Sequence, residues 1–167
     1  MLASARIAFL QSAPELVAAA IDALKNRPQP PHGAPAYASG KTARAIHAEA
    51  TDTSLTLYGP QHIQALITGR KPTSPDAEAG NPNLAAILAQ WAKDKGIQLA
   101  DEDEYKSFGF ALAKKIHAEG TALFRHKQPS GLFSDVLSAQ RLDVLKARIA
   151  AGEVTAITTE LQSVFAR

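Results

Sequence analysis

Apolar residues recur at helical spacing along the first part of this 167-residue chain. The segment Ser12–Glu15, SAPE, has the form of a capping box with proline near the first helical position. It predicts a helix that runs to about Asn26 and stops at Arg27-Pro28. The apolar stripe of this helix is Leu16, Ala19, Ala20, Ala23 and Leu24. Residues 2–10 are expected to form a separate helical arm before it.

The pattern changes to short alternating runs after residue 43. ARAIHAEA and TSLTLYG flank Thr51-Asp52, and this arrangement predicts a β-hairpin. The next residues, QHIQALITG, return to helical spacing and predict a short helix. Its shared face is Ile63, Leu66 and Ile67. Gly69 stands where a left-handed helix cap belongs.

Three longer helices are predicted in the second half of the chain. Asn81-Pro82 is a cap followed by proline and starts a helix that ends at Gly96. ADEDEYKSFGFALAKKIHAEG has acids at its start, cations near its end and Gly120 at its close, as the helix dipole favours. Its expected core face is Tyr105, Phe108, Leu112 and Ile116. Leu132–Ala150 is the third amphipathic segment.

The C-terminal residues carry two overlapping patterns. Within VTAITTELQSVF, alternate positions hold Ile157, Thr159, Leu161, Ser163 and Phe165, which predicts a strand over 154–165. A helix remains the alternative, because Leu161, Val164 and Phe165 also share a helical face. The predicted class is α+β: several helices packed on a small antiparallel sheet, with an N-terminal helix on a proline-rich linker and a C-terminal strand.

The segment Arg27–Pro35, RPQPPHGAP, has four prolines in nine residues. This composition predicts an extended, stiff linker. The chain length suits one domain, or one domain with extended arms. We therefore expect an N-terminal helical arm at 1–26, a linker at 27–39 and an α+β domain at 40–167.

Composition narrows the class of protein. Lys and Arg total 18 and Asp and Glu total 16, a balance that argues against a dedicated DNA-binding domain. The absence of Cys excludes disulfides, thiolate catalysis and cysteine metal sites. No uninterrupted run of about 18 apolar residues occurs, so no membrane span is expected. The first residues are read as mature sequence rather than a signal peptide, because Arg6, Gln11 and Glu15 break the apolar region.

No motif assembles a catalytic, cofactor or metal site, and none of these is predicted. Gly40-Lys41-Thr42 resembles the end of a phosphate-binding loop, but Pro35 stands where the first glycine is required. The five histidines lack zinc-like spacing, and no Ser lies in a nucleophile elbow. The histidines are His32, His47, His62, His117 and His126.

Cations cluster at three places: Arg70-Lys71, Lys114-Lys115 and Arg125-His126-Lys127. Such clusters are usually solvated faces. The first follows an apolar helical turn within LYGPQHIQALITGRKPTSP and begins a loop that is expected to project outward beyond Gly69. Loops of this kind bind nucleic acid or partner proteins. The candidate partner-binding loop is Gly69, Arg70, Lys71 and Pro72, and the candidate contacts to DNA or a partner are Arg125 and Lys127.

The order of segments across residues 40–125 resembles the tail-completion and neck proteins of long-tailed bacteriophages, often described as minor tail proteins. The residues that carry the resemblance are SGKTARAIHAEA, SLTLYGP, ALITGRKP, QWAKDKGI and ALAKKIHAEGT. The proline-rich linker and the long C-terminal segment are departures from that pattern.

The resemblance implies a structural protein rather than an enzyme. Its members form rings, often six-fold, between head and tail, with DNA passing through the lumen. The expected partners are further copies in a hexameric ring, adjacent neck, portal-adaptor or tail-tube proteins, and packaged DNA bound without sequence preference, but no membrane. The expected location is the virion, assembled in the host cytoplasm. A small nucleic-acid-binding module is the alternative, and an enzyme is a third class.

Overall fold

The computed structural model describes residues 2–30, 33–73, 83–127 and 129–165. Two short antiparallel hairpins are inserted among the helices, so the predicted α+β class is confirmed. In chain order the elements are α1 Leu2–Asn26, β1 Pro28–Gln29, β2 Ala34–Pro35, α2 Lys41–Ala45, β3 His47–Ala50, β4 Leu55–Tyr58, α3 Ile63–Thr68, α4 Leu84–Asp94, α5 Glu102–Glu119, α6 Ala122–Arg125 and α7 Ala139–Phe165.

α1 is one helix of 25 residues, and the prediction of a separate arm at 2–10 is wrong. Pro14 lies inside the helix, where it cannot donate to the carbonyl of Leu10. Both residues are on the exposed side, where water can satisfy that carbonyl. The helix therefore continues through Pro14, and it ends at Asn26 as predicted.

The proline-rich linker folds back on itself instead of extending. Pro28 pairs with Pro35 and Gln29 pairs with Ala34 in an antiparallel hairpin. The Gly33 amide donates to the Gln29 carbonyl at 2.8 Å and closes the turn. Pro31 and His32 lie outside the described residues. The paired residues are locally extended, but the prediction that the whole linker extends is wrong, because Gln29, Gly33 and Ala34 form local main-chain contacts that turn it back.

The half-buried ammonium group of Lys95 binds the main chain at the C-terminal end of this linker. It donates to the carbonyls of Pro35 at 2.6 Å and Tyr37 at 2.5 Å. Partial burial lowers the pKa of the Lys95 ammonium group. Sequence reasoning did not single out this lysine.

The central elements match their predictions except at residues 43–45, which were predicted to begin the first strand and instead belong to α2. β3 and β4 pair from His47↔Tyr58 to Ala50↔Leu55, and the rings of the first pair stack with centroids 5.3 Å apart. α3 and α5 form where expected, and the Asp101 side chain caps α5 through the amides of Asp103 and Glu104. α4 begins after Asn83, whose side chain accepts from the Ala86 amide. The predicted cap at Asn81-Pro82 lies outside the described residues.

The predicted C-terminal strand is wrong, because α7 continues to Phe165. The threonines that suggested a strand are accommodated in the helix. Thr155, Thr158 and Thr159 each donate their hydroxyl to the carbonyl four residues earlier, at 2.8–2.9 Å. The helix also begins at Ala139 rather than Leu132.

The chain forms two compact units. The division into an arm at 1–26, a linker at 27–39 and a domain at 40–167 stays a prediction. The first unit contains α1 as far as Leu24, the β3–β4 hairpin and α7, and the second contains the β1–β2 hairpin and α3 to α6. The first core includes Ala8, Phe9, Ala20, Leu24, Ile46 and Val136. In the second, α4 and α5 approach closely at Gly109, where an added Cβ would lie 2.3 Å from the Ala85 carbonyl oxygen.

The prediction that no segment spans a membrane has to be compared with the length and composition of α1. Residues Ser4–Asn26 are long and apolar enough to cross a bilayer by length and composition, and 28% of an apolar 18-residue stretch within them is buried. Core helices of soluble proteins and signal sequences have the same property. α1 also makes polar contacts with α7 that are described below.

Candidate interaction surfaces

The predicted partner-binding loop lies along the turn between α5 and α6. The Thr121 amide donates to the Arg70 carbonyl at 2.9 Å, and the Arg70 amide donates to the Thr121 hydroxyl at 2.9 Å. The Thr73 amide donates to the His117 carbonyl, also at 2.9 Å. This carbonyl belongs to the last turn of α5 and has no donor within the helix. Residues 70–73 therefore cap α5.

The prediction that the chain projects outward after Gly69 is thus wrong for residues 70–73. The His117 carbonyl accepts from Thr73, and Arg70 and Thr121 exchange two hydrogen bonds, so these polar groups satisfy one another and fix the segment in place. Residues 74–80 lie outside the described ranges.

Two glycines permit this close crossing. Gly69 has φ 82° and ψ 167°, and Gly120 has φ 79° and ψ 179°. An added Cβ at Gly69 would lie 2.4 Å from the Phe124 nitrogen, and one at Gly120 would lie 2.6 Å from the Arg70 carbonyl oxygen. The positive φ of Gly69 was expected, but its ψ is not that of a left-handed cap. Such a backbone is essentially restricted to glycine.

Side chains reinforce the crossing. The Thr73 hydroxyl accepts from Arg70 Nη2 at 3.2 Å and lies 2.6 Å from His117 Nδ1. A threonine hydroxyl has one proton to donate, so it can donate to the unprotonated Nδ1 while it accepts from the guanidinium. Lys71 and Pro72 between these residues are exposed.

The second predicted group lies at the same end of α5. Arg125 follows Thr121 by one helical turn, and its guanidinium donates to Glu119 at 2.6 Å. Lys127 is exposed and has a positive φ of 51°. The structure therefore brings both predicted groups to the α5–α6 turn. We call Arg70, Lys71, Arg125 and Lys127 the basic edge.

Sequence reasoning missed Thr73, His117 and Thr121, which fix the basic edge from within. The sequence signal that could have indicated them is Gly120 after α5, together with Thr73 on one segment of the crossing and Thr121 on the other. That signal becomes specific only when the two segments, about 50 residues apart, are known to meet.

A groove of about 370 Å³ lies in the first unit between α1, α7 and the turn before α7. Arg148 crosses it, donating to Ser12 at 3.0 Å and to both carboxylate oxygens of Glu15 at 2.9 and 3.0 Å. Its hydrogen bonds hold the pKa of the Glu15 carboxyl below its usual value, and the same pair raises the pKa of Arg148. Apolar residues form other parts of the wall: Leu16, Val136, Leu137, Leu142, Val144 and Leu145.

Within the described ranges, no three His, Asp or Glu side chains are grouped as a metal site. Gly40 precedes the five-residue helix α2, and the Thr42 hydroxyl lies 2.8 Å from His62 Nε2. The threonine of the partial phosphate-loop motif is thus already hydrogen-bonded.

Comparison with known proteins does not assign a family. No protein-family model, curated protein or solved structure matches the chain.

Proposed function

We propose that this chain is a structural subunit of a bacteriophage neck, a tail-completion or head–tail connector protein that forms a ring around the DNA path. The observation that carries the proposal is the fixed geometry of the basic edge. Main-chain bonds hold residues 70–73 against the α5–α6 turn. Residues 70–72 belong to ALITGRKP, and Gly120 and Thr121 belong to ALAKKIHAEGT, two of the segments that carry the resemblance to neck proteins.

A fixed backbone suits docking on another protein. Residues that are already ordered lose little conformational entropy on binding, so more of the contact energy appears as affinity. Arg70 and Arg125 are engaged inside their own unit, while Lys71 and Lys127 are exposed. The edge thus offers a rigid surface with a few charges in defined positions, which favours specificity between partners.

Exposed large apolar side chains in the second unit support contacts with other subunits. Phe110 on α5 is 66% exposed, and Ile87 and Trp91 lie one turn apart on α4 with 47% and 37% exposure. Aromatic residues are enriched in the buried centres of protein interfaces. The proposed partners are further copies of the chain in a ring and the adjacent neck, portal-adaptor or tail-tube proteins.

The proposal is tested by the assembly state of the purified chain. Sedimentation velocity and negative-stain images are expected to show closed rings. Lys71→Glu with Lys127→Glu should weaken assembly, whereas Lys114→Glu with Lys115→Glu, which makes the same charge change elsewhere, should not. A chain that stays monomeric at all accessible concentrations, or two double variants with identical behaviour, would contradict the proposal.

A small nucleic-acid-binding module is the second candidate, and the exposed ammonium groups of Lys71 and Lys127 favour it. Binding to duplex DNA would then be independent of sequence and would weaken steeply with salt. Titration of a monomeric wild-type chain with DNA over a salt series distinguishes the two. Salt-dependent binding that the Lys71→Glu/Lys127→Glu variant loses would establish this role in place of the ring.

A further inference from the structure

α7 is apolar on two sides. The side that faces α1 includes Arg148 and Gly152, and an added Cβ at Gly152 would lie 2.9 Å from the Ser4 Cβ. At about 100° per residue, a second stripe lies on the opposite side of the helix. This outer stripe of α7 consists of Ala150, Val154, Ile157 and Leu161, and the last three are 64%, 51% and 53% exposed.

α1 also carries an exposed apolar stripe. Its contacts with α7 are made by Ser4, Ser12 and Glu15. Ile7 and Leu10 on the same helix are 56% and 53% exposed. The outer stripe of α1 is Ile7, Leu10, Pro14 and Ala18, all exposed.

The two stripes match in length and in bordering charge. Each spans eleven residue steps, about 17 Å of helix. Arg6, which lies 3.5 Å from Asp52 and keeps 58% of its side chain exposed, adjoins Ile7 at one end of the α1 stripe. Glu160 adjoins Leu161 at the end of the α7 stripe. These opposite charges meet when the two helices run antiparallel. The α1–α7 pair within the unit is also antiparallel, because Ser4 contacts Glu153 while Glu15 contacts Arg148.

We propose that the outer stripe of α7 in one copy packs antiparallel on the outer stripe of α1 in the next copy. The two stripes are different surfaces, so the contact is heterologous and propagates from copy to copy. Such a contact closes into a ring or continues as an open chain, depending on the rotation between copies. The inference rests on the proposed ring function and names the surfaces that would build it.

Contact between the stripes would explain two features of the sequence: the apolar outer sides of α1 and α7, and the β-branched residues near the end of α7. A solvent-facing helix of a monomer is expected to be polar on its outer side. Residues 154–159 are rich in β-branched residues, which are poor helix formers, and a helix of this kind gains most of its stability from packing. A second apolar surface would supply that packing.

Two double variants test the contact: Ile157→Gln/Leu161→Gln and Ile7→Gln/Leu10→Gln. Gln is polar, uncharged and a good helix former, so the exposed helices should persist. Each variant alone should self-associate about a hundredfold more weakly than the wild type, as measured by sedimentation velocity. An equimolar mixture should form a discrete dimer, because each variant supplies the stripe that the other lacks. A mixture that stays monomeric would overturn the contact.

Cysteine cross-linking gives a second readout that does not depend on those variants. The chain has no Cys, so Leu10→Cys in one copy and Ile157→Cys in another should form a single intermolecular disulfide on mild oxidation. Thr155→Cys, exposed on another side of α7, serves as the control partner for Leu10→Cys. Equal cross-linking with the control would contradict the antiparallel alignment.

The outcomes separate this contact from the ring function. Rings that persist in both Gln variants would overturn the contact and leave the neck proposal intact. Open chains that obey the mixing test would support the contact and count against a closed neck ring. Sedimentation of the wild type with vesicles of equal parts phosphatidylcholine and phosphatidylglycerol, without self-association, would overturn the contact and assign the α1 stripe to a membrane surface.

Discussion

At the residue scale, two glycines decide the conformation of the basic edge. Gly69 packs against the segment that follows Gly120, and Gly120 packs against the segment that follows Gly69. Each has a positive φ, and at each an added Cβ would collide with main-chain atoms of the other segment. Gly96 also has a positive φ, of 73°, but an added Cβ there would meet nothing within 4 Å. A substitution at Gly96 would therefore cause backbone strain alone, whereas one at Gly69 would cause backbone strain and a steric clash.

We predict that Gly69→Ala lowers the free energy of unfolding by about 3 kcal/mol, the sum of backbone strain and overpacking. Gly96→Ala should cost only the strain, about 1 kcal/mol. Urea denaturation followed by Trp91 fluorescence would measure both. Equal losses for the two variants would show that residues 69 and 124 do not approach as closely as described.

At the element scale, polar contacts fix the alignment of α1 on α7. Arg148 joins Ser12 and Glu15, and the lowered pKa of the Glu15 carboxyl means that its ionised form stabilises the folded state. This contribution is fully present above the ordinary pKa of 4.5 and is lost as the pH falls through the lower, folded-state pKa.

Glu15→Gln should therefore reduce stability at neutral pH, and the difference from the wild type should shrink as the solution is acidified below pH 4.5. Gln keeps the shape of the side chain and removes only the charge. Thermal melts at neutral and acidic pH would measure the difference. A wild-type advantage that persists unchanged in acid would contradict the assigned role of the charge.

The far end of α7 should be separable from folding. Residues 157–163 are exposed throughout, so deletion of residues 157–167 is expected to leave the helical circular dichroism of the remaining chain and its cooperative melt intact. The deletion also removes Ile157 and Leu161, so self-association should fall as in the Gln variant. Loss of the folding transition would show that this end stabilises the unit directly.

At the scale of the whole molecule, assembly and stability should be coupled. If copies bind through surfaces that exist only in the folded state, mass action raises the stability of the fold with protein concentration. The melting temperature of the wild type is expected to rise by several degrees across the accessible concentration range. That of the Ile157→Gln/Leu161→Gln variant should stay constant, and a constant wild-type value would argue for a monomer.

Local patterns in the sequence predicted much of the secondary structure. The hairpin at 47–58, α3, α5 and the end of α1 at Asn26 were identified correctly, because each is specified by neighbouring residues: turn residues, caps, periodicity and a proline stop. The positions of Arg70, Lys71, Arg125 and Lys127 near the ends of elements followed from the same signals. The basic edge as a surface did not, since its halves are about 50 residues apart.

Tertiary structure decided the features that depend on distant partners. Residues 154–165 fit both an alternating and a helical pattern, and continuity with α7 selected the helix. α1 continues through Pro14, because the Leu10 carbonyl that loses its helical donor there lies on the exposed side, where water can bind it. Residues 70–73 became a cap instead of a projecting loop, because α5 presents an unpaired carbonyl beside them. In each case the sequence determined which local conformations were available, and packing and hydrogen bonding across the chain selected one, since buried polar groups and apolar faces must find partners wherever these lie in the sequence.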